Sequence, residues 1–237
     1  MPNELVILHT NDLHGQLSPA KLSRLLEVRS SADVYFDSGD AIKAGNLSLP
    51  LAPEAVWPFL AEARCDCSCP GNRESHVVEA GLAAKMRGLS HPMVCANWNR
   101  TDGSPVFPPS IVIERAGFRI GVVGVMVPIV TARMSTRVIS AFLWSDPVDA
   151  ARTECDRLRP EVDLLVLLSH IGHRHDLALA ASVPGYDLIL GGHSHTVLPT
   201  PVHVGSTWVC QGGSHAKLMG RYTWSGGGLV TGELLDW

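Results

Sequence analysis

Apolar residues in this chain come in short blocks, and the spacing within each block separates two kinds of element. LVIL (5–8), VYF (34–36), MVCA (93–96), DLLVLL (163–168) and DLIL (187–190) are continuous apolar runs, which predicts strands covered on both faces. Between them the apolar positions open to helical spacing, as in Leu22, Leu25 and Leu26 and in the segments 75–87 and 148–158. Ser145-Asp146-Pro147 opens the last of these as a capping residue followed by proline. From residue 106 strands predominate: IVIER, FRIGVVGVM, TWVCQ and GLVTGELLDW. No repeat and no long linker divides the pattern, so one mixed α/β domain over residues 1–237 is expected.

Composition narrows the class. Hydrophobic residues make up 46% of the chain and charged ones only 18%, which excludes disorder and supplies a large core. A net charge of −4 without a basic tract argues against sequence-specific nucleic-acid binding. The first residues, MPNELVIL, lack a basic segment and a long apolar stretch, and no apolar run reaches the roughly 20 residues of a membrane span. Six cysteines in 237 residues do not form a disulfide scaffold, so the expected location is cytoplasmic, with no membrane partner.

Chemistry collects where the predicted strands end. LVIL runs into His9-Thr10-Asn11-Asp12-Leu13-His14, and VYF into Asp37-Ser38-Gly39-Asp40. DLLVLL is followed by Ser169-His170, and DLIL by Gly191-Gly192-His193-Ser194-His195. Ligand sites of open α/β sheets form outside the carboxyl ends of strands. Asp12, His14, Asp40, Asn72, His170, His193 and His195 make an oxygen-and-imidazole donor set. Such a set suits Mn, Fe, Zn, Co or Ni. Seven donors exceed one ion's needs and fit two divalent transition-metal ions sharing a carboxylate, the arrangement that clamps both oxygens of a phosphoryl displacement.

The ordered motifs DxH, GD, GN, SH and GHxH resemble those of the calcineurin-like metallophosphoesterases. The words HTNDLHGQL, DSGD, LLSHIG, GGHSHT and VCQGGSHAKLMGRYTW are similar to the catalytic part of the 5′-nucleotidase branch. The resemblance implies a four-layer α/β/β/α sandwich of two mixed sheets flanked by helices. It places one metal on Asp12, His14, Asp40 and His195 and the other on Asp40, Asn72, His170 and His193, with a hydroxide between the ions as nucleophile. It implies hydrolysis of a small phosphorylated substrate, with a nucleotide, a different monoester and a phosphodiester all open. Such nucleotidases carry a second, nucleoside-binding domain, and none is expected within these residues, so the resemblance gives the chemistry and not the substrate.

One motif departs from the family. Its GNH is here Gly71-Asn72-Arg73, followed by Glu74, Ser75 and His76. An arginine binds phosphate oxygens but cannot act as a general acid near neutral pH. Arg73 is therefore expected to contact the phosphoryl group, with His76 either donating the leaving-group proton or merely packing at the start of the 75–87 helix. A chain weakened to a phosphate- or nucleotide-binding protein is the alternative. Cys65, Cys67 and Cys69 either share a strand face as a thiolate site or are small buried residues. His173 and His175 read as solvated loop residues, with Asp176 as the following helix's cap. Segment 42–60, with Trp57 and Phe59, either covers the cleft or buries its aromatics.

Overall fold

The computed structural model describes residues 4–237. Its first half comprises β1 (Glu4–Thr10), α1 (Pro19–Arg29), β2 (Val34–Asp37), α2 (Val56–Glu62), β3 (Cys67–Ser68), α3 (Glu79–Met86), β4 (Trp98–Arg100), β5 (Ser110–Arg115) and β6 (Phe118–Met126). There follow β7 (Phe142–Trp144), α4 (Pro147–Leu158), β8 (Leu164–His170), α5 (His173–Ser182), β9 (Leu188–Gly191), β10 (Val202–Val204), β11 (Thr207–Cys210), β12 (Leu218–Ser225) and β13 (Val230–Asp236). One sheet has the order β13-β12-β1-β2-β3, the other β10-β11-β9-β8-β6-β5, and β4 pairs with β7. The β1–β2–β3 and β6–β8–β9–β11 neighbours are parallel, whereas β12, β13, β5 and β10 pair antiparallel with their neighbours.

Side-chain alternation along the strands sorts the core into layers. Leu5, Ile7, Val34 and Phe36 of the first sheet meet Ile120, Val122, Leu164, Val166, Leu188 and Leu190 of the second. On the first sheet's outer face, Leu8 and Tyr35 pack with Leu22, Leu25 and Val28 of α1 and Trp57 and Leu60 of α2. On the second sheet's outer face, Val123, Val125, Leu165 and Leu167 pack with Ala151, Cys155 and Leu158 of α4 and Leu179 and Ala180 of α5. The result is a mixed α/β, four-layer sandwich, which is why the central runs are apolar at every position. No helix among the described residues is long and apolar enough to cross a membrane.

Five local expectations change. Residues 93–96 do not form a strand: Val94 N bonds to Ser68 O of the first sheet, while Ala96 N reaches Gly124 O of the second, so this apolar segment bridges the sheets. The 75–87 helix is confined to Glu79–Met86, because residues 75–78 are held in a loop whose Val78 amide donates to His76 Nδ1 (3.1 Å). His173 and His175 lie in α5, and its cap position is Gly172. Asp176 is instead buried and accepts the Ser169 hydroxyl at 2.5 Å, burial pushing its carboxyl up to about 7. Only Cys67 of the three closely spaced cysteines is in a strand. Cys67 and Cys69 lie between the sheets and Cys65 on the helix side, so the three share no face. All six thiols are buried and unpaired. Trp57 is buried in α2, its indole N–H donating to Lys85 O (2.8 Å), while the Asp146 cap of α4 forms as expected, accepting from Val148 N and Asp149 N.

Lys85 connects the helical layer to the loops above the sheets. Its side chain is fully buried on α3, and its ammonium donates to the carbonyls of Gly45, Asn46, Arg73 and Ser75 at 2.6–2.8 Å. Burial pushes its pKa down to about 8, against the pull of Glu74, Asp40 and Glu54. Lys85→Met keeps the length and removes every donor. At roughly 1–3 kcal/mol for each buried group left unpaired, urea denaturation should show a loss of at least about 3 kcal/mol. A loss below about 1 kcal/mol would mean that water replaces the ammonium at these carbonyls.

Candidate metal centre

The chain beyond β1 runs beside the chain beyond β2. Asp12 N donates to Gly39 O, His14 N to Asp40 O and Gly15 N to Ala41 O, at 2.8–2.9 Å. Asp12, His14 and Asp40 all have left-handed backbones, with φ of 51–53°. Such a conformation costs a non-glycine residue about 1 kcal/mol or more. Its consequence is local: Leu13 is fully buried in the helical layer, while Asp12 and His14 on either side of it stand at the sheet edge.

Glu74 braces this edge. It is buried, and its carboxylate accepts from Gly71 N (2.8 Å), Asp40 N (2.8 Å) and Ile42 N (3.1 Å). A Cβ on Gly71 would lie 2.2 Å from Asp40 Oδ1, so no other residue fits beneath that carboxylate. Asn11 ties in a fourth segment. Its amide nitrogen donates to Asp12 Oδ2 (2.7 Å) and Gly213 O (2.8 Å), and its oxygen accepts from Gly212 N (3.0 Å). Neither residue was among the sequence candidates. The acidic residue after GN was a signal for Glu74, but Asn11 bonds a segment some 200 positions away and left no local trace.

The second sheet closes on the same edge. His170, the last residue of β8, is fully buried and donates Nδ1–H to Ser38 O at 2.7 Å. A carbonyl can only accept, so Nε2 is left as the free face of the ring. Gly192, just beyond β9, permits the approach: a Cβ there would lie 2.7 Å from Ser38 O and 2.9 Å from His170 Nδ1. His193 N then donates to Asp12 Oδ2 at 2.9 Å.

All seven expected ligands are brought together. Asp12 Oδ1 lies 3.3 Å from His195 Nε2 and 3.6 Å from His14 Nε2. Asp40 Oδ1 is 3.5 Å from His170 Nε2, and His193 Nδ1 is 2.9 Å from Asn72 Oδ1. Donor atoms of Asp12, Asp40 and His170 fall within 4.8 Å of one another, a spacing that can hold a cation. Asp12 Oδ1 and His170 Nε2 are buried with no hydrogen-bond partner, which is costly unless a ligand completes them. Burial disfavours a charged His170, yet facing Asp40 and Asp12 raise it to about 10. Burial likewise works to raise Asp40, but His170 and the Arg73 amide outweigh it and hold the carboxyl at about 2. The pocket thus demands positive charge, and a divalent cation would meet that demand with the imidazole neutral.

The departing motif occupies two places. Arg73 stays at the site: its amide donates to Asp40 Oδ1 (2.7 Å), its guanidinium donates to Lys43 O (2.9 Å), and Nε lies 3.9 Å from Asp40 Oδ2. His76 is buried beneath α3, where a Cβ on Gly81 would meet its ring at 2.2 Å. The packing alternative describes this placement, and the proton-donor role finds no support in it.

The sequence comparisons agree with this geometry. The family model described as calcineurin-like phosphoesterase matches residues 5–197. The trifunctional nucleotide phosphoesterase YfkN of Bacillus subtilis is 26% identical over 262 residues, covering 92% of this chain and 18% of that protein. An apyrase of Tabanus yao is 38% identical over 151 residues, covering 60% of this chain and 26% of its own length. The chain spans 18% to 40% of the length of the curated relatives it matches. In fold it is similar to a 5′-nucleotidase precursor from Thermus thermophilus, with a TM-score of 0.79 at 23% identity over 98% of this chain and 54% of that one. A match to most of the chain, on a sheet edge that gathers every motif of the pattern, shows that this chain belongs to the calcineurin-like phosphoesterase family.

Proposed function

We propose that this chain is a metal-dependent phosphoesterase acting on a small phosphorylated substrate of the nucleotide type. The observation that carries it is the buried, unpartnered Asp12 Oδ1 and His170 Nε2 facing Asp40, ringed by His14, His193, His195 and Asn72. Asp12, His14, Asp40 and His195 would hold one divalent ion, and Asp40, Asn72, His170 and His193 a second. When bound, such ions supply Lewis acidity to the phosphoryl oxygens and lower the pKa of coordinated water. Relatives named 5′-nucleotidase and apyrase support a nucleotide as substrate. Six free, buried cysteines are compatible with the reducing cytoplasm expected from the sequence.

Arg73 supplies the chain's own fixed charge. One guanidinium nitrogen is committed to Lys43 O, leaving others to donate to non-bridging phosphate oxygens. Lys43, whose carbonyl Arg73 holds, lines a cavity of about 550 Å³ together with Gly15, Ala44, Leu49, Pro50 and Leu51, a size suited to a leaving group. Glu54 shapes the 43–56 loop by accepting the amides of Lys43 and Ala44 at 3.0 Å. Trp57 of the 42–60 segment is buried, as the second of the two expected roles has it.

The Mn²⁺-loaded protein should hydrolyse p-nitrophenyl phosphate or its bis ester, and chelation should abolish the rate. Asp40→Asn should lower it on the order of 10²-fold or more. A rate indifferent to chelator or to this substitution would sink the proposal, and the ratio of the two esters names monoester or diester specificity. Arg73→His restores a protonatable group. Alkyl phosphates, whose leaving groups need a proton, should gain on the order of 10²-fold, with aryl esters little changed. Equal loss on both would identify Arg73 as the phosphate clamp and nothing else.

A further inference from the structure

A fifth imidazole, on an eighth donor residue, reaches the site from beyond the residues that the family model matches. His215 stands between β11 and β12, beyond residue 197 where the family match ends. Its ring centroid is 4.6 Å from that of His14 and 5.5 Å from that of His195. His14 Nε2 and His195 Nε2 are themselves 3.0 Å apart. One ligand atom from each of the three histidines lies within 4.8 Å of the other two.

The backbone delivers this ring rather than leaving it to chance. His215 and Ala216 are both left-handed, with φ of 61° and 49°. The His215 amide donates to Asp12 O at 2.7 Å, and the Lys21 ammonium donates to His215 O (3.3 Å) and Ala216 O (2.6 Å). Asn11 holds the preceding Gly212 and Gly213. Non-glycine residues in this conformation persist where the surroundings over-determine them, and they cluster at functional sites. Hydrogen bonding does not complete the cluster: one proton between His14 Nε2 and His195 Nε2 joins those two rings, but His14 Nδ1 is buried with no partner.

We propose that His215 is a ligand of the outer metal ion, together with His14 and His195. The centre then divides into an inner position at Asp40, Asn72, His170 and His193 and an outer one at Asp12, Asp40, His14 and His195 that gains a third imidazole. The proposal rests on the metal-centre reading above and adds a ligand to it. Its chemical consequence is selectivity: imidazole donors suit Zn, Co and Ni better than Mn or Mg, so the outer position should differ from the inner in the ion it prefers.

Calorimetric titration of the metal-free chain with Co²⁺ and with Mn²⁺, with visible Co²⁺ absorption recorded alongside, tests this on wild type, His215→Asn and Asp40→Asn. Asparagine tolerates the left-handed backbone, and His215→Gln serves as a second variant. Wild type should bind two Co²⁺ ions. In both His215 variants one of the two should weaken by at least about tenfold, with an altered Co²⁺ spectrum, the other being unchanged. Mn²⁺ binding should suffer less. If both variants bind two ions with wild-type affinity and spectrum, His215 is no ligand, and the proposal falls while the phosphoesterase reading stands. If wild type binds no ion, or Asp40→Asn binds both as tightly as wild type, the metal-centre reading itself falls and takes this proposal with it.

Discussion

The Glu74 carboxylate sits in the interior and accepts the amides of Gly71, Asp40 and Ile42. Burying a carboxylate costs several kcal/mol unless its lone pairs are met, and these three amides meet them. The same bonds fix a loop that would not otherwise hold its shape. Asp40 lies in the left-handed region at φ 53°, and its own carboxylate is pressed against Gly71. Each party compensates the other: Glu74 is tolerated because it finds donors, and Asp40 keeps its strained conformation because its amide has an acceptor. Lys85 extends the bracing from below, binding the carbonyls of Arg73 and Ser75 on one side and of Gly45 and Asn46 on the other.

From that braced edge the electrostatics follow. Asp12 and Asp40 are almost wholly removed from water, and the buried imidazole of His170 is fixed by Ser38 O so that Nε2 points into the gap beside them. Two desolvated carboxylates repel each other across a low-dielectric pocket unless a cation stands between them. Burial and this neighbour push Asp12 up, while His170 draws Asp40 down against its burial, so the pair is poised asymmetrically. An enclosed polar gap of this kind is stable only when something cationic completes it.

Arg73 changes the balance at the rim. It replaces the histidine of the family's third motif with a permanent charge, and it is tied to Asp40 and to Lys43 O. That tie joins the sheet edge to the 43–56 loop, so the fixed charge and the neighbouring cavity are parts of one rim. His76, three residues on, is buried under α3, where its Nδ1 accepts the Val78 amide. The added imidazole at this rim comes instead from the other end of the chain, at His215.

The buried strands and the polar residues at their ends were legible in the sequence, because whether a strand is covered on both faces is written in the residues of that strand. The capping of α4 by Asp146 was legible for the same reason, since a cap is satisfied within three residues. Residues 93–96 misread as a strand because apolar content reports burial and not which sheet supplies the hydrogen bonds. Cys65, Cys67 and Cys69 alternate in sequence but only one of them lies in a strand. Which strands are covered on both faces, and the order in which Asp and His leave them, is written in the residues themselves. Tertiary structure alone decided that Asn11 would hold Gly212 and Gly213, that His193 N would find Asp12, and that His215 would stand against His14. Those contacts join residues some 180 to 200 positions apart, and they exist only once the two sheets have packed face to face.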